Sequence, residues 1–267
     1  MRRRSNSRRN EERKMRGKLM GSARFDDHLV VLTEPKAIAA EQYRVLRSRI
    51  EHLSQEKGFR TFMITSPVVG DGKSMTTANL ALSMAQTKDR RVALVDCDLR
   101  RPSLHRLFGM RMKEGLIDVL EERSPLETAL VPIEHPLLAS GSLSFLPAGR
   151  ANAASPEWLG SAKMKKLVTI LSERFEMVFF DTPPILPLAD AAELGSAVDG
   201  AILVLRSGST SVEALTLAMQ SIDLQNWIGV VLNGVDFERS SQYSGVYASY
   251  QKTYSAQAIE GRGNHDD

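Results

Sequence analysis

Short apolar runs recur along the chain at 61–65, 92–95, 143–146, 177–180, 201–205 and 228–232. Each is four or five residues long, rich in Val, Ile, Leu and Phe, and mostly without polar alternation. A strand with one wet face alternates apolar and polar positions, whereas a strand covered on both faces does not. The runs therefore predict strands buried in a parallel sheet. Between them, 74–86, 162–174 and 211–222 read as helices. A further helix is predicted over 41–54, where Val45, Leu46, Ile50 and Leu53 fall on one side. Alternating strands and helices predict an α/β fold of three layers, a mostly parallel central sheet flanked by helices. In such sheets ligands bind at the carboxyl ends of the strands. Residues 122–160 are less regular and read as insertions around one strand, and the chain has no internal repeat.

Charge divides the chain further. The net charge of +3 over 267 residues conceals an arm, residues 1–24, that carries ten Lys/Arg against Glu11 and Glu12. The remainder is mildly acidic, with 25 basic and 30 acidic side chains. Three regions are expected: a basic arm over 1–27, a folded body over 28–237 and a polar, flexible tail over 238–267. The arm has too few apolar residues to offset the entropy of ordering it, so disorder is expected. It is either a plain solvated tail or a contact for anionic lipid headgroups, worth about 1 kcal/mol per basic residue near such a surface. Nucleic acid is not an expected partner, because the arm interleaves no aromatics and the body shows no basic motif.

Composition excludes several classes. Apolar residues make up 42% and charged residues 25%, the usage of an ordinary globular protein. No apolar run approaches the ~18 residues of a membrane span. The basic start leads into no apolar stretch of a secretory signal. A lone cysteine, Cys97, excludes a disulfide framework and a cysteine-rich zinc site. A reduced, cytoplasmic protein is expected.

The first strand runs into Thr65-Ser66-Pro67-Val68-Val69-Gly70-Asp71-Gly72-Lys73-Ser74, followed by a helix. This nearly matches the phosphate-loop pattern G-x-x-x-x-G-K-[ST], with Pro67 in place of the first Gly. Gly70 and Gly72 let the backbone wrap a phosphate, and the N–H groups from Gly70 through Asp71 to Ser74 are expected to point inward. The helix that begins there brings its positive end to the same place. Lys73 is expected to reach the β- and γ-phosphates of ATP, Ser74 to hold Mg²⁺, and Met75 to border the nucleotide.

Two more strands end in carboxylates. Val92-Ala93-Leu94-Val95-Asp96-Cys97-Asp98 places Asp96 and Asp98 two residues apart, on one face of an extended chain. Met177-Val178-Phe179-Phe180-Asp181 ends in an aspartate after four apolar residues, the form of a Walker B strand that holds Mg²⁺ directly or through water. A lone strand-end Asp is most often a turn former or helix cap. Three beside a phosphate loop point to metal and nucleotide instead. Cys97 reads as a small core residue.

With these motifs in hand, the chain resembles the bacterial tyrosine kinases of capsule and exopolysaccharide synthesis, over roughly residues 35–255. The resemblance rests on the run from Leu94 through Asp96, Asp98, Arg100 and Arg101 to Pro102, on Asp181-Thr182-Pro183-Pro184, and on Glu41-x-x-Arg44-x-x-Arg47. It rests also on four of the five tyrosines, Tyr243, Tyr247, Tyr250 and Tyr254, which lie within twelve residues of the tail. Val69 and Met75 depart from the family's usual Pro and Thr. The related Min and Par ATPases carry a signature lysine where this chain has Val68, which argues against that branch.

The resemblance implies an ATP- and Mg²⁺-dependent tyrosine autokinase with the P-loop fold, phosphorylating the tail cluster in a neighbouring subunit. It implies a homo-oligomer, a ring supported by Glu41, Arg44 and Arg47, although these one-turn neighbours also suit plain surface ion pairs. It implies a separate membrane-embedded polysaccharide co-polymerase that supplies an activating cytoplasmic segment, a cognate tyrosine phosphatase, and a place at the inner face of the plasma membrane. Lys73, Asp96 and Asp98 are the candidate catalytic residues, with either aspartate as the base. Ser74, Asp96 and Asp181 are the candidate metal ligands. Asn233 is placed either against the adenine or in a plain turn, and Arg100 either at a phosphate or beside a carboxylate. Two other classes are an ATPase switch without protein phosphorylation and a nucleotide-binding assembly partner without catalysis.

Overall fold

The computed structural model describes residues 25–150, 155–186, 190–221 and 227–236. Their strands are β1 (Thr61–Thr65), β2 (Val92–Asp96), β3 (Val131–Ile133), β4 (Leu143–Leu146), β5 (Met177–Asp181), β6 (Gly200–Arg206) and β7 (Trp227–Asn233). Their helices are α1 (Val30–Thr33), α2 (Ile38–Lys57), α3 (Lys73–Ala85), α4 (Leu104–Leu107), α5 (Leu116–Leu120), α6 (Leu126–Ala129), α7 (Ala162–Arg174), α8 (Asp190–Gly195) and α9 (Val212–Ser221). A 3₁₀ turn covers Ser155–Gly160.

The strands form one sheet in the order β3-β4-β2-β5-β1-β6-β7. All neighbouring pairs run parallel except the antiparallel pair β3–β4. Strand interiors explain why. Along β2 the even-numbered Val92 and Leu94 pack into one cluster and the odd-numbered Ala93 and Val95 into the other. The same split places Phe62 and Ile64 opposite Met63, and Phe179 opposite Val178 and Phe180. Both faces of the sheet are thus covered, which only helices on both sides provide. Phe62 and Phe179 stack with ring centroids 5.5 Å apart across β1 and β5.

α3 lies deepest among the helices, buried along nearly its whole length. Small residues such as Ala78, Ala81, Ser83 and Ala85 let it lie close against its neighbours. Buried Asn79 on α3 accepts from the Val31 N–H at 3.2 Å and donates to the carbonyls of His28 and Met75, each at 3.0 Å. That side chain ties the start of the body to the helix behind the phosphate loop.

Residues 25–27, which the charge boundary assigns to the arm, belong to the packed body. Phe25 sits edge-on to Phe108 and His135, and the Asp26 N–H donates to the Leu107 carbonyl at 2.8 Å. The rest of the arm and the tail with its four tyrosines lie outside the described residues. Among the described residues, no helix is long and apolar enough to cross a membrane.

Candidate active site

Three adjacent strands, β2, β5 and β1, end side by side, and each hands over one part of the site. β1 runs into the loop 66–72 and then α3. β2 ends at Asp96, and β5 at Asp181, which is its register partner. The ends are fastened together. The Cys97 N–H donates to the Asp181 carbonyl at 2.8 Å, the Thr182 hydroxyl to the Ile64 carbonyl at 3.0 Å, and the Ile185 N–H to the Ser66 carbonyl at 2.8 Å.

The loop turns on two glycines in the left-handed region, Gly70 at φ 97° and Gly72 at φ 90°. A Cβ on Gly72 would overlap the Asn233 side-chain amide, so any larger residue meets both backbone strain and a collision. Gly70, Gly72, Lys73, Ser74, Asp98 and Arg101 line a cleft of about 510 Å³. Met75 and Arg100 border it as well.

Lys73 gathers the carboxylates. Its Nζ stands 2.9 Å from Asp98 Oδ2 and 3.4 Å from Asp181 Oδ1, and donates to the Ser74 hydroxyl at 3.1 Å. The Thr77 hydroxyl, one turn along α3, lies 3.4 Å from Asp181 Oδ1. Burial works against the ammonium, but Asp181, Asp98 and Asp96 together outweigh it and hold the Lys73 pKa above its ordinary value. Asp181 is fully buried, and burial raises its pKa although Lys73 and the Ser74 hydroxyl act the other way. Asp96 is pushed up to about 8, by burial first and the charge of Asp181 second.

The two β2 carboxylates differ in what they face. Asp96 is fully buried. Its Oδ1 accepts from the Asp98 N–H, and its Oδ2 accepts from the N–H groups of Ser103 and Leu104, all at 3.2 Å. It holds the loop that follows β2. Asp98 lines the cleft, with Oδ1 accepting from the Arg101 N–H at 3.0 Å and Oδ2 turned to Lys73. Cys97 between them is buried, and burial and the three carboxylates push its thiol pKa well up.

Two residues read as nucleotide contacts have other partners. The Asp71 side chain is 2% exposed and accepts from the Thr210 hydroxyl at 2.6 Å. Asn233 donates its Nδ2 to the Asp71 carbonyl at 2.9 Å and packs behind the loop. The motif reading missed Thr210, Arg206 and Thr77. Thr77 was within reach of it, one turn past Lys73 on the same helix.

On α2, Arg44 pairs with Glu41 at 2.5 Å and donates to the Pro35 carbonyl, while Arg47 donates to the Ser83 carbonyl at 2.8 Å. The two arginines therefore have partners within the chain, and Arg47 joins α2 to α3.

Hard oxygen donors from Ser74, Asp181 and Asp98 beside a lysine suit Mg²⁺ shared with a phosphate. Among the described residues, no three His, Cys, Asp or Glu side chains form a group able to hold a metal ion by themselves.

Residues 62–259 match the family model of the CobQ/CobB/MinD/ParA nucleotide binding domain. Tyrosine-protein kinase YwqD of Bacillus subtilis is 36% identical over 223 residues, which cover 83% of this chain and 92% of that relative. The chain belongs to the bacterial tyrosine-protein kinases. Putative tyrosine-protein kinase AmsA of Erwinia amylovora is 31% identical over 83% of this chain, but the match spans only 30% of its own length. The kinase domain of Escherichia coli tyrosine kinase ETK superposes with a TM-score of 0.72 at 29% identity, covering 80% of this chain and 82% of that one. This tyrosine kinase thus carries its family's nucleotide-binding domain on a seven-stranded, mostly parallel sheet.

Proposed function

We propose that the chain transfers the γ-phosphoryl group of ATP to Tyr243, Tyr247, Tyr250 and Tyr254 of a neighbouring copy of itself, in a homo-oligomeric ring, and so regulates exopolysaccharide or capsule export. The observation that carries this reading is the placing of Lys73 Nζ 2.9 Å from Asp98 and 3.4 Å from Asp181 at an open cleft. The clustering of four tyrosines in the tail adds the acceptor.

The chemistry follows from the groups present. Amides of the loop and the Lys73 ammonium bind and orient the triphosphate. Mg²⁺, when bound with it, neutralises charge on the transferred phosphoryl group, and Ser74 and Asp181 are the residues to hold it, with Asp96 and Asp98 near. A tyrosine phenol has a pKa near 10, so a base assists at neutral pH. Asp98 is the better candidate because it lines the cleft, while the Asp96 oxygens are engaged by backbone N–H groups. Asp96 then positions Asp98 and shapes the loop after β2. Such transfer is mostly positioning and charge stabilisation.

The wider setting rests on the family. A membrane-embedded polysaccharide co-polymerase supplies the activating segment, the basic arm meets anionic lipid at the inner face of the plasma membrane, and a tyrosine phosphatase resets the tail. The packed body, from Phe25 onward, acts as the kinase domain. Glu41, Arg44 and Arg47 support the ring. Each phosphate adds about −1.5 to −2 charges to the tail, so phosphorylated tails repel one another and the ring opens.

Incubation with γ-labelled ATP and Mg²⁺, in the presence of the activating segment, tests the reading. Label on the wild type, and none on Lys73→Met or on a variant with Phe at all four tail positions, is the expected result. Phosphate release without labelled protein would favour the ATPase switch instead.

A further inference from the structure

An acidic residue one position from phosphate-binding glycines calls for an explanation, because its charge would repel the ligand. Asp71 is kept out of the cleft by one partner within the phosphate loop and another far outside it. Its Oδ1 accepts a 2.6 Å hydrogen bond from the Thr210 hydroxyl, and its Oδ2 accepts from the Val68 N–H at 3.3 Å. The Thr210 oxygen accepts in turn from the Arg206 N–H at 2.8 Å. The Arg206 guanidinium reaches the Gly70 carbonyl at 3.3 Å. Asn233 donates to the Asp71 carbonyl at 2.9 Å, and its own carbonyl accepts from the Ser207 N–H at 2.8 Å. The end of β6 and the turn after it, with the end of β7, thus grip the loop at residues 70 and 71.

We propose that Thr210 is a positioning residue for nucleotide binding: acting through Asp71, it holds the phosphate loop in the shape in which its N–H groups converge. The proposal rests on the reading of this cleft as the ATP site. Its physical basis is entropic. Two glycines give the loop more conformational freedom than any other pair of residues would, and that freedom must be removed before or during binding. Ties made before the ligand arrives lower the ordering cost of binding. Thr210 suits the role because one hydroxyl both accepts from its own turn and donates to the loop. The effect falls on the phosphate end of any nucleotide and not on the choice of base.

The test uses the full chain with Thr210→Val, Thr210→Ser, Asp71→Ala and the Thr210→Val/Asp71→Ala double variant. Two quantities are read: the Kd of a fluorescent ADP analogue, and hydrogen exchange of the amides at 68–74 in protein without nucleotide. Thr210→Val is expected to weaken binding about ten-fold, the scale of one hydrogen bond to a charged group. It should also speed exchange of the loop amides while the melting temperature stays near that of the wild type. Thr210→Ser should restore both. Asp71→Ala should lose at least as much as Thr210→Val, and the double variant should be little worse than Asp71→Ala alone. Wild-type affinity and exchange in Thr210→Val would overturn the proposal, as would additive losses in the double variant or failure of Ser to rescue. If Thr210→Val does not fold, wild-type binding and exchange in Asp71→Ala overturn it equally. A wild type that binds no ADP analogue sinks the ATP reading instead, and the exchange comparison still decides whether Thr210 holds the loop.

Discussion

Asp96 and Asp181 face each other as the last matched residues of the β2–β5 pairing, both fully buried. Two strand-end carboxylates held side by side, with Asp98 close by, leave Lys73 as the cation that the three share. Crowding three carboxylates round one lysine raises the pKa of Asp96 and Asp181, a cost that a cation bound together with a phosphate would relieve.

Stability should carry the mark of Asp96. Its pKa is raised from 3.8 to about 8, so between those values the folded state binds a proton that the unfolded chain does not. Stability contributed by this group is full at low pH and is lost as pH rises towards 8, by at most about 1.4 kcal/mol per pH unit. Urea unfolding of the wild type and Asp96→Asn at pH 6, 7 and 8 checks this. The wild type should lose stability with pH more steeply than the variant, and equal slopes would count against it.

Lys73→Met removes the shared cation. Phosphoryl transfer should fall by about 10³-fold or more, as when a main charge-stabilising group is lost. Leaving buried carboxylates without their partner also destabilises the fold, on the order of 3–5 kcal/mol where they stay ionised. The loss should be smaller at pH 5 than at pH 8, because protonation relieves it. Unfolding curves of both proteins at the two pH values measure the difference.

The two loop glycines should separate under substitution. Gly70→Ala meets only the strain of a positive φ, because nothing lies within 4 Å of the added carbon. Gly72→Ala meets the same strain and the Asn233 amide besides. The first should cost about 1 kcal/mol of stability, and the second more, with nucleotide binding lost. Thermal melts and ADP titrations of the two variants make the comparison.

On α2, Arg47→Ala should lower the stability of the isolated subunit by about 1 kcal/mol, because the Ser83 carbonyl loses its donor. Glu41→Ala breaks only a partly exposed ion pair and should change stability by a few tenths of a kcal/mol. If this helix also supports a ring, Glu41→Ala should shift the sedimentation profile with the melting temperature nearly unchanged. An unaltered profile would confine the three residues to the subunit's own fold.

Legibility in the sequence followed locality. β1, β2, β4, β5, β6 and β7 stand where continuous apolar runs place them; in the first five, burial on both faces writes itself into consecutive residues, whereas β7 at the sheet edge leaves Val230 and Leu232 exposed among the described residues. β3 left no such signal: it has three residues, includes Pro132, and pairs antiparallel at the sheet edge. The helices α1, α4, α5, α6 and α8 span four to six residues each, too few to show a helical period. In the site, the meeting of Lys73, Asp96, Asp98 and Asp181 was readable because each lies within two residues of a strand end or a helix start, in a short motif. The inward turn of Asp71 was not, since its partner Thr210 lies 139 residues away in an ordinary-looking Ser-Gly-Ser-Thr turn. The division of labour between Asp96 and Asp98 was equally hidden, because it depends on which backbone N–H groups the loop after β2 brings round.

In the proposed reaction this cleft passes phosphate to tyrosines of the tail. Mapping the phosphopeptides formed from γ-labelled ATP, Mg²⁺, the activating segment and the full chain tests it most directly. Label is expected on the segment containing Tyr243, Tyr247, Tyr250 and Tyr254, including in a mixture where a Lys73→Met copy can receive it only from an active one. Label confined to other residues, or an active chain that hydrolyses ATP and labels no protein, would contradict it.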